Sequence, residues 1–524
     1  MERVYSSIFN DVLGPVMNGP SSSHSAGCAR IGFMTRCLYG KDITQADVVF
    51  EELGSYPSTY VGQGSNFGFT GGLIGIPAED PRLKDAVSIA KEQGRKIVFK
   101  KASLGFKHPN QARIDVFAAD GHKEFSVMTY SIGGGMFQIT ELDEFQVAID
   151  GSSRQVFICC ETSEGIALAE AALERIGAAR STQRVKNRTL YTVPLTRTQN
   201  CDSILALRGQ PGISSVRIAE VIMPVARKAV KDVPFNATET MTYAAGNGKS
   251  LWELAVEYEC GIGYVTPEQV QNLAQHTLDV MRAAVIPPEE SVKKMEFLPC
   301  RCREMETQYQ KIHFPDVGVL GRVMLAAVGV MENSCTHRIV AAAPTAGSSG
   351  VVPAAVVTLG DQMGLPDEEI RKGLLAAGLV GAFIANQATF GGEVGACQAE
   401  NGSASAMAAA GVVQLLNGTV EQSFQAASLA MQNMLGLICD PVAGLTEIPC
   451  IGRNVSSATN AIMSAYMVLC GFNPVIPLDE TIITMGRVGE QLPEELRCTC
   501  RGGLCVSPTG CKITQEVEAT RPKL

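Results

Sequence analysis

The sequence predicts a multidomain protein: a mixed α/β N-terminal region over 1–150, a small α+β unit over 154–226, and an all-α region over 235–524. Three observations carry this. The 524 residues exceed what one hydrophobic core normally organises. Apolar spacing mixes strand and helix periods as far as residue 226 and is helical from about 235 onward. An apolar share of 46% against a charged share of 19% fits well-buried globular units rather than a disordered chain.

The first region opens on a short helix and then reads NGPSSSHSAGCARIGFMTRCLYG. Ser21, Ser22, Ser23 and His24 form a polar loop that feeds a helix with small and apolar residues on one face. Hydroxyls and free N–H groups converging at a helix start suit a carboxylate or phosphate, although an ordinary cap would use the same residues. VVFEEL is a strand, and the following run, dense in Gly, Ser and Tyr, is expected as a loop. QARIDVFAADG and EFSVMTYSIGGGMFQITEL predict paired strands, with a turn at 119–121 and a glycine run at 133–135. His108, beside Pro109 and Asn110, falls in a loop, where a polar role outweighs core packing.

Within 154–226, RQVFICCE, RTLYTVPLT and ISSVRIAEVIMPV are strand-like, while SEGIALAEAALERIGA and CDSILALRGQPG are helical. A further middle strand must come from STQRVKN or its neighbours, which completes a ferredoxin-like strand–helix–strand–strand–helix–strand order. Such a unit either binds an amino acid or joins domains.

From 235 onward, segments such as SLWELAVEYECG, PDVGVLGRVMLAAVGVMEN and NGSASAMAAAGVVQLLNG carry apolar faces at helical spacing. Many Ala, Gly and Ser residues imply closely approaching helices, some buried on most sides. The glycine-rich joints PTAGSSG, TFGGEVGACQ and DPVAGL are where chemistry is expected. The tail after Leu496 reads as polar and loose.

A net charge of −9 without a long Lys/Arg block excludes a nucleic-acid footprint. GVLGRVMLAAVGVM is short and carries Arg322, and the apolar run after Arg338 is cut by Pro344 and Pro353, so no membrane span is predicted. The opening MERVYSSIFNDVLGPV has early acids and no apolar core of a signal peptide. A soluble, cytoplasmic protein is therefore expected. The 17 cysteines are too sparse for a disulfide scaffold, which points to metal or catalytic use for some. Cys37, Cys160 and Cys470 read instead as small buried hydrophobes.

Cys498 and Cys500, Cys300 and Cys302, and the adjacent Cys159 and Cys160 have no partners at zinc-ribbon spacing. Cys397, Cys439 and Cys450, 42 and 11 positions apart, have better surroundings. Cys397 precedes a helix starting near Asn401, whose positive end favours a thiolate. Cys439 and Cys450 bracket a Pro/Gly loop able to fold around one centre. Sulfur ligation favours zinc or an iron–sulfur cluster, and three ligands without a clear fourth leave one position open; three unrelated buried thiols would give the same spacing.

CQAENGSASAMAAAG, CDPVAGLTEIPCIGRN, RIVAAAPTAGSSGVVPA and GPSSSHSAG resemble the iron–sulfur-dependent L-serine dehydratases over nearly the whole chain, in the single-chain form with a β-type region followed by an α-type region. The resemblance implies a [4Fe–4S] cluster on Cys397, Cys439 and Cys450, whose open iron acts as a Lewis acid in deaminating L-serine to pyruvate and ammonia without pyridoxal phosphate. Elimination from threonine or cysteine, or a non-catalytic amino-acid or redox sensor, are the alternatives. A tail cysteine reaches the open iron in some relatives; Cys511 is at a plausible place, with Cys498, Cys500 and Cys505 as competitors. Ser22, Ser23 and His24 match the family's SSSH loop, and His108, Pro109 and Asn110 its HPN loop. His24 and His108 are thereby implied as catalytic, and Ser22, Ser23, Asn110, Thr345, Gly347 and Ser348 as substrate-binding. Where many relatives read GHGTD, residues 62–66 read GQGSN, so Gln63 and Asn66 replace a titratable His and an Asp with neutral amides. The N-terminal region is similar to the allosteric-substrate-binding fold, and 154–226 to an ACT module. A homodimer with a small amino-acid substrate is the implied assembly.

Overall fold

β-Branched and aromatic residues at every second position pair the N-terminal region into a sheet. In the computed structural model, which describes residues 3–177, 179–196, 199–230, 232–245, 248–312 and 317–521, β1 (Val16–Asn18) stands apart from this sheet. β2 (Gln45–Glu51), β3 (Lys96–Ala102), β4 (Gln111–Phe117), β5 (Lys123–Gly133), β6 (Met136–Leu142) and β7 (Phe145–Ile149) form it in the order β3-β2-β4-β5-β6-β7. β2 and β3 run parallel and the other pairs antiparallel, with Ile114 opposite both Val48 and Val127. β5 buries Phe125, Val127, Thr129 and Ser131 on one face.

Two helices cover the sheet, α1 (Gly27–Tyr39) and α2 (Ser65–Ile74). The second corrects the expected loop. Its glycines serve packing rather than turns: a Cβ on Gly72 would lie 2.1 Å from the Ala29 carbonyl oxygen, so only glycine lets α2 approach α1 this closely. Ile31, Leu38, Phe50, Phe69 and Ile114 share the core beneath them.

The next unit runs β8 (Arg154–Cys160), α3 (Ser163–Ile176), β9 (Ser181–Val185), β10 (Arg188–Leu195), α4 (Asp202–Leu205) and β11 (Ile213–Ala219), in the sheet order β11-β8-β10-β9. Thr162 caps α3 by accepting from Gly165 N, and Gly177 ends it in the left-handed region. The unit has its own core, including Val156, Ile158, Leu173 and Val193. Arg217 joins it to the first sheet by donating to Leu38 O at 3.2 Å and lying 4.2 Å over the Phe125 ring.

The rest is mainly helical: α5 (Leu251–Ile262), α6 (Pro267–Ala284), α7 (Leu320–Cys335), α8 (Asp367–Gln387), α9 (Ser403–Leu415), α10 (Val420–Gln432), α11 (Cys450–Leu469), α12 (Leu478–Gln491) and α13 (Pro508–Thr520). Ser250 with Glu253, Thr266 with Gln269 and Thr419 with Gln422 form capping boxes. The expected opening of α7 at Pro315 and Asp316 lies outside the described residues. α9 is buried on every side, as its Ala, Ser and Gly content requires.

β12 (Ile339–Ala341) pairs antiparallel with β1, setting Val16 opposite Ala341 and so joining the N-terminal region to the helical region. The tail is more ordered than expected: residues 508–520 form α13, capped by Ser507, although 522–524 lie outside the described residues. Cys160 is buried and Cys37 partly so, but Cys470 is exposed, because it follows the solvent-facing end of α11. Among the described residues no single helix is long and apolar enough to cross a membrane. The one combination that passes by length and composition, Asp367–Gln387 with Gly392–Leu415, is bent by 85° and contributes to the main core.

Candidate active site

The β1–β12 pairing decides what meets at the site. Each strand delivers its chain to a polar loop, and the Ala346 N–H donates to Ser22 Oγ at 3.5 Å. Ser21 caps a wide π-type turn over Ser22–Ala26, which positions His24. His24 Nδ1 is 2.9 Å from Ser23 Oγ and 3.3 Å from Ser21 Oγ, and Nε2 is 3.2 Å from Ser55 Oγ. Ser55 donates to Asn110 Oδ1, while Asn110 Nδ2 donates to Ser131 O at 3.3 Å. On the facing loop, Thr345 Oγ1 donates to Glu400 Oε1 at 2.9 Å and lies 3.1 Å from Ser348 Oγ. Asn454 Nδ2 donates to Gly347 O at 2.8 Å and Cys450 O at 2.9 Å, fixing this loop to the start of α11.

The three cysteines come from separate joints and are 1%, 3% and 7% exposed in chain order, and Cys450 does not join the tightest group, which the other two form with Glu400. Sulfurs of Cys397 and Cys439 and a Glu400 carboxylate oxygen lie within 4.8 Å of one another. Cys439, Cys450, Glu400 and Cys498 line one narrow cavity of about 90 Å³ with Ser22, His24, Asn110 and Thr345. A Cβ on Gly392 would lie 2.9 Å from Glu400 Oε2, so glycine keeps this approach open. Arg453 donates from Nη1 to Cys397 Sγ at 3.3 Å and Ile438 O at 2.9 Å, and from Nη2 to Asp440 Oδ1 at 2.8 Å. Ala396, Ala443, Cys498 and Cys500 all have φ between 56° and 61°. Non-glycine residues bear the cost of that conformation where surrounding structure enforces it, and such strain concentrates at functional sites.

Residues 215–505 match the family model described as the serine dehydratase alpha chain, which is more than half of the chain. The chain belongs to the serine dehydratase alpha chain family. The L-serine dehydratase alpha chain of Peptoniphilus asaccharolyticus is similar at 38% identity over 286 residues, covering 53% of this chain and 97% of that protein. The probable L-serine dehydratase alpha chain of Latilactobacillus sakei is 44% identical over 191 residues, 36% of this chain and 91% of its own length. L-serine dehydratase 1 of Escherichia coli (strain K12) is 33% identical over 285 residues, 52% of this chain and 62% of that protein.

All three candidate ligands of this serine dehydratase family chain fall in the matched region, whereas His24 and His108 precede it. The donor set suits a cationic sulfur-ligated centre. Hydrogen bonding to Cys397 and Cys498, and then burial, hold the Cys439 thiol well above its ordinary value; burial and then the neighbouring Cys397 do the same for Cys450. Crowded, dry thiols of this kind give up their protons to a metal that binds them.

The structure does not bring every anticipated residue to the cavity: Cys397 and Ser348 are buried outside its lining. His108 is half-buried outside its lining, stacked on Tyr130 and accepting from Asn110 N at 3.0 Å through Nδ1. Cys511 is exposed on α13 and donates toward Cys505 O at 3.7 Å. Cys498 occupies the nearer place: its N–H donates to Cys439 O at 2.9 Å. Gln63 lines the cavity and donates to Gly444 O at 2.7 Å, while Asn66 Oδ1 has no hydrogen-bond partner among the described residues. Sequence reasoning left out Ser55, Glu393, Glu400, Asp440 and Arg453. Glu400 had a readable signal, since it follows Cys397 at the i+3 spacing that shares a helix face. Ser55 had none, because a distant loop supplies it.

Burial lowers the His24 pKa to about 3, so the imidazole is neutral at physiological pH. An unfolded histidine titrates near 6.5, so between about 3 and 6.5 the unfolded state binds more protons and stability rises with pH. The unfolding midpoint should therefore fall as pH drops below about 6.5, with His24 contributing up to about 1.4 kcal/mol per pH unit. A folded His24→Gln variant should show a shallower slope in thermal melts over this range; identical slopes would contradict the assignment.

Proposed function

We infer that this chain is an L-serine dehydratase that converts L-serine to pyruvate and ammonia in the cavity between the Ser22–Ala26 turn and the three cysteines. The observation that carries the reading is the shared wall: hydroxyls and a neutral imidazole on one side, buried thiols on the other. When bound to Cys397, Cys439 and Cys450, a [4Fe–4S] cluster supplies a Lewis-acidic iron that eases departure of the serine hydroxyl. Ser22, Ser23 and Thr345 bind and orient the substrate carboxylate and amino group by hydrogen bonds. Glu400 holds the Thr345 hydroxyl, and Gly347 and Ser348 keep that loop in place. Glu400, whose carboxyl pKa is raised by burial to about 7, accepts the α-proton, while His24 orients the substrate as a neutral imidazole, its ring fixed by Ser23 and Ser55. Loss of the proton and hydroxide gives aminoacrylate, which tautomerises and is hydrolysed to pyruvate and ammonia. His108 positions Asn110 through its backbone N–H.

Cys498 replaces Cys511 in this reading as the tail cysteine at the fourth position, because it lines the cavity. The strand order of 154–226 supports an ACT-like connecting domain, with an allosteric-substrate-binding-like region before it and the catalytic helices after 235.

Anaerobic reconstitution with iron and sulfide, followed by 2-oxo acid assay, tests the function. Pyruvate from L-serine should exceed turnover of the larger L-threonine, since the cavity is small, and L-cysteine and D-serine serve as further comparisons. Absence of any 2-oxo acid would remove the catalytic reading, and preference for another amino acid would change the substrate.

A homodimer is supported by Met463, Tyr466, Met467 and Cys470, exposed at i, i+3, i+4 and i+7 along one face of α11 and just beyond its end. Light scattering should give twice the chain mass, reduced to one chain by Met467→Glu; a monomeric wild type would contradict this.

A further inference from the structure

A second cavity, of about 480 Å³, is far larger than the one beside the cysteines and shares none of its lining. It opens where residues 9–16, α1, the 77–79 loop, the 221–224 segment and α6 meet. Phe9, Leu13, Phe33, Ile222, Met223 and Leu273 make its walls largely apolar. Glu79, His276 and Thr277 also line it, and Arg30 is its buried cation. Arg30 is 8% exposed and forms no ion pair among the described residues, although the Asp11 and Glu79 carboxylates act on its charge from farther away. Nη1 donates to Gly135 O at 2.9 Å and Met136 Sδ at 3.7 Å; the rest of the guanidinium fork has no hydrogen-bond partner among the described residues.

A buried guanidinium is costly unless an anion completes it, and its planar fork matches a carboxylate. Glu79 on the rim is exposed and available to an ammonium group. We propose that this cavity binds a small monocarboxylate with a branched aliphatic or aromatic body, either an apolar amino acid or its deaminated 2-oxo analogue, and couples it to the active site through Gly135. The coupling route is short. Arg30 holds the Gly135 carbonyl, and Gly133 and Gly134 line the cysteine cavity. A carboxylate that draws on Arg30 changes how firmly this glycine run is held.

Isothermal titration of the full chain, with and without reconstituted iron and sulfide, tests this with L-leucine, L-phenylalanine and 4-methyl-2-oxopentanoate. At least one probe should bind saturably at one site per chain, and Arg30→Gln should weaken it by about tenfold or more. Glu79→Gln should weaken only the amino acids, which separates the two ligand sources. If Arg30→Gln does not fold, Val221→Trp at the cavity wall should abolish binding instead. No heat from any probe up to about 10 mM, above the usual range of weak specific ligands, would overturn the proposal. So would full binding in a folded Arg30→Gln or Val221→Trp variant, or displacement of the probe by L-serine.

Discussion

Cys439→Ser, reconstituted anaerobically, should lose both the iron–sulfur absorbance and pyruvate formation from L-serine. Cys439 stands between Cys397 and Cys498 in a buried site, and a serine hydroxyl cannot replace a soft thiolate there. Turnover should fall by about a thousandfold or more, equivalent to about 4 kcal/mol of barrier. Cys498→Ser should keep the cluster but alter its resting spectrum and its protection from oxygen, whereas Cys511→Ser should behave as wild type. A Cys439→Ser variant with undiminished iron content and activity would exclude the ligand assignment.

Asp440→Asn is expected to produce the largest loss of stability at the site without removing a sulfur. Asp440 is 2% exposed and accepts from Arg453 Nη2 and Leu504 N, both at 2.8 Å. Gly503, at φ +61°, makes this approach possible, because a Cβ there would lie 2.4 Å from Asp440 Oδ2. Neutralising the acid leaves the Arg453 charge without its carboxylate and loosens the tail. Breaking a buried ion pair on one side costs about 3–5 kcal/mol, and the amide's remaining acceptor places this variant near the lower end. Chemical denaturation should show the loss, and limited proteolysis should cleave more readily around residues 498–507. An unchanged midpoint with a protected tail would contradict the clamp.

The helical half was legible because its apolar period persists over whole helices and its capping residues stand at their starts. The alternation in Phe125, Val127 and Thr129 likewise exposed β5 before any pairing was known. The glycine-rich helix α2 was not legible, since its glycines are required by neighbours distant in sequence, Gly72 by Ala29 and Gly68 by Ser25, rather than by local turns. The tail was misread for a related reason. Its order comes from Asp440 and Pro441, far away in sequence, with Cys505 Sγ donating to Pro441 O at 3.0 Å. At the site, cysteine spacing and loop composition identified the two walls. The partners Ser55, Asp440 and Arg453 depend on tertiary proximity, which no local pattern encodes.

Serine is expected to reach a cluster held by Cys397, Cys439 and Cys450. Mössbauer spectroscopy of the anaerobically reconstituted protein, before and after L-serine, tests it most directly. Serine should change the signal of one iron in each four-iron cluster and leave the other three nearly unchanged. A spectrum indifferent to saturating L-serine, in protein that still forms pyruvate, would contradict it.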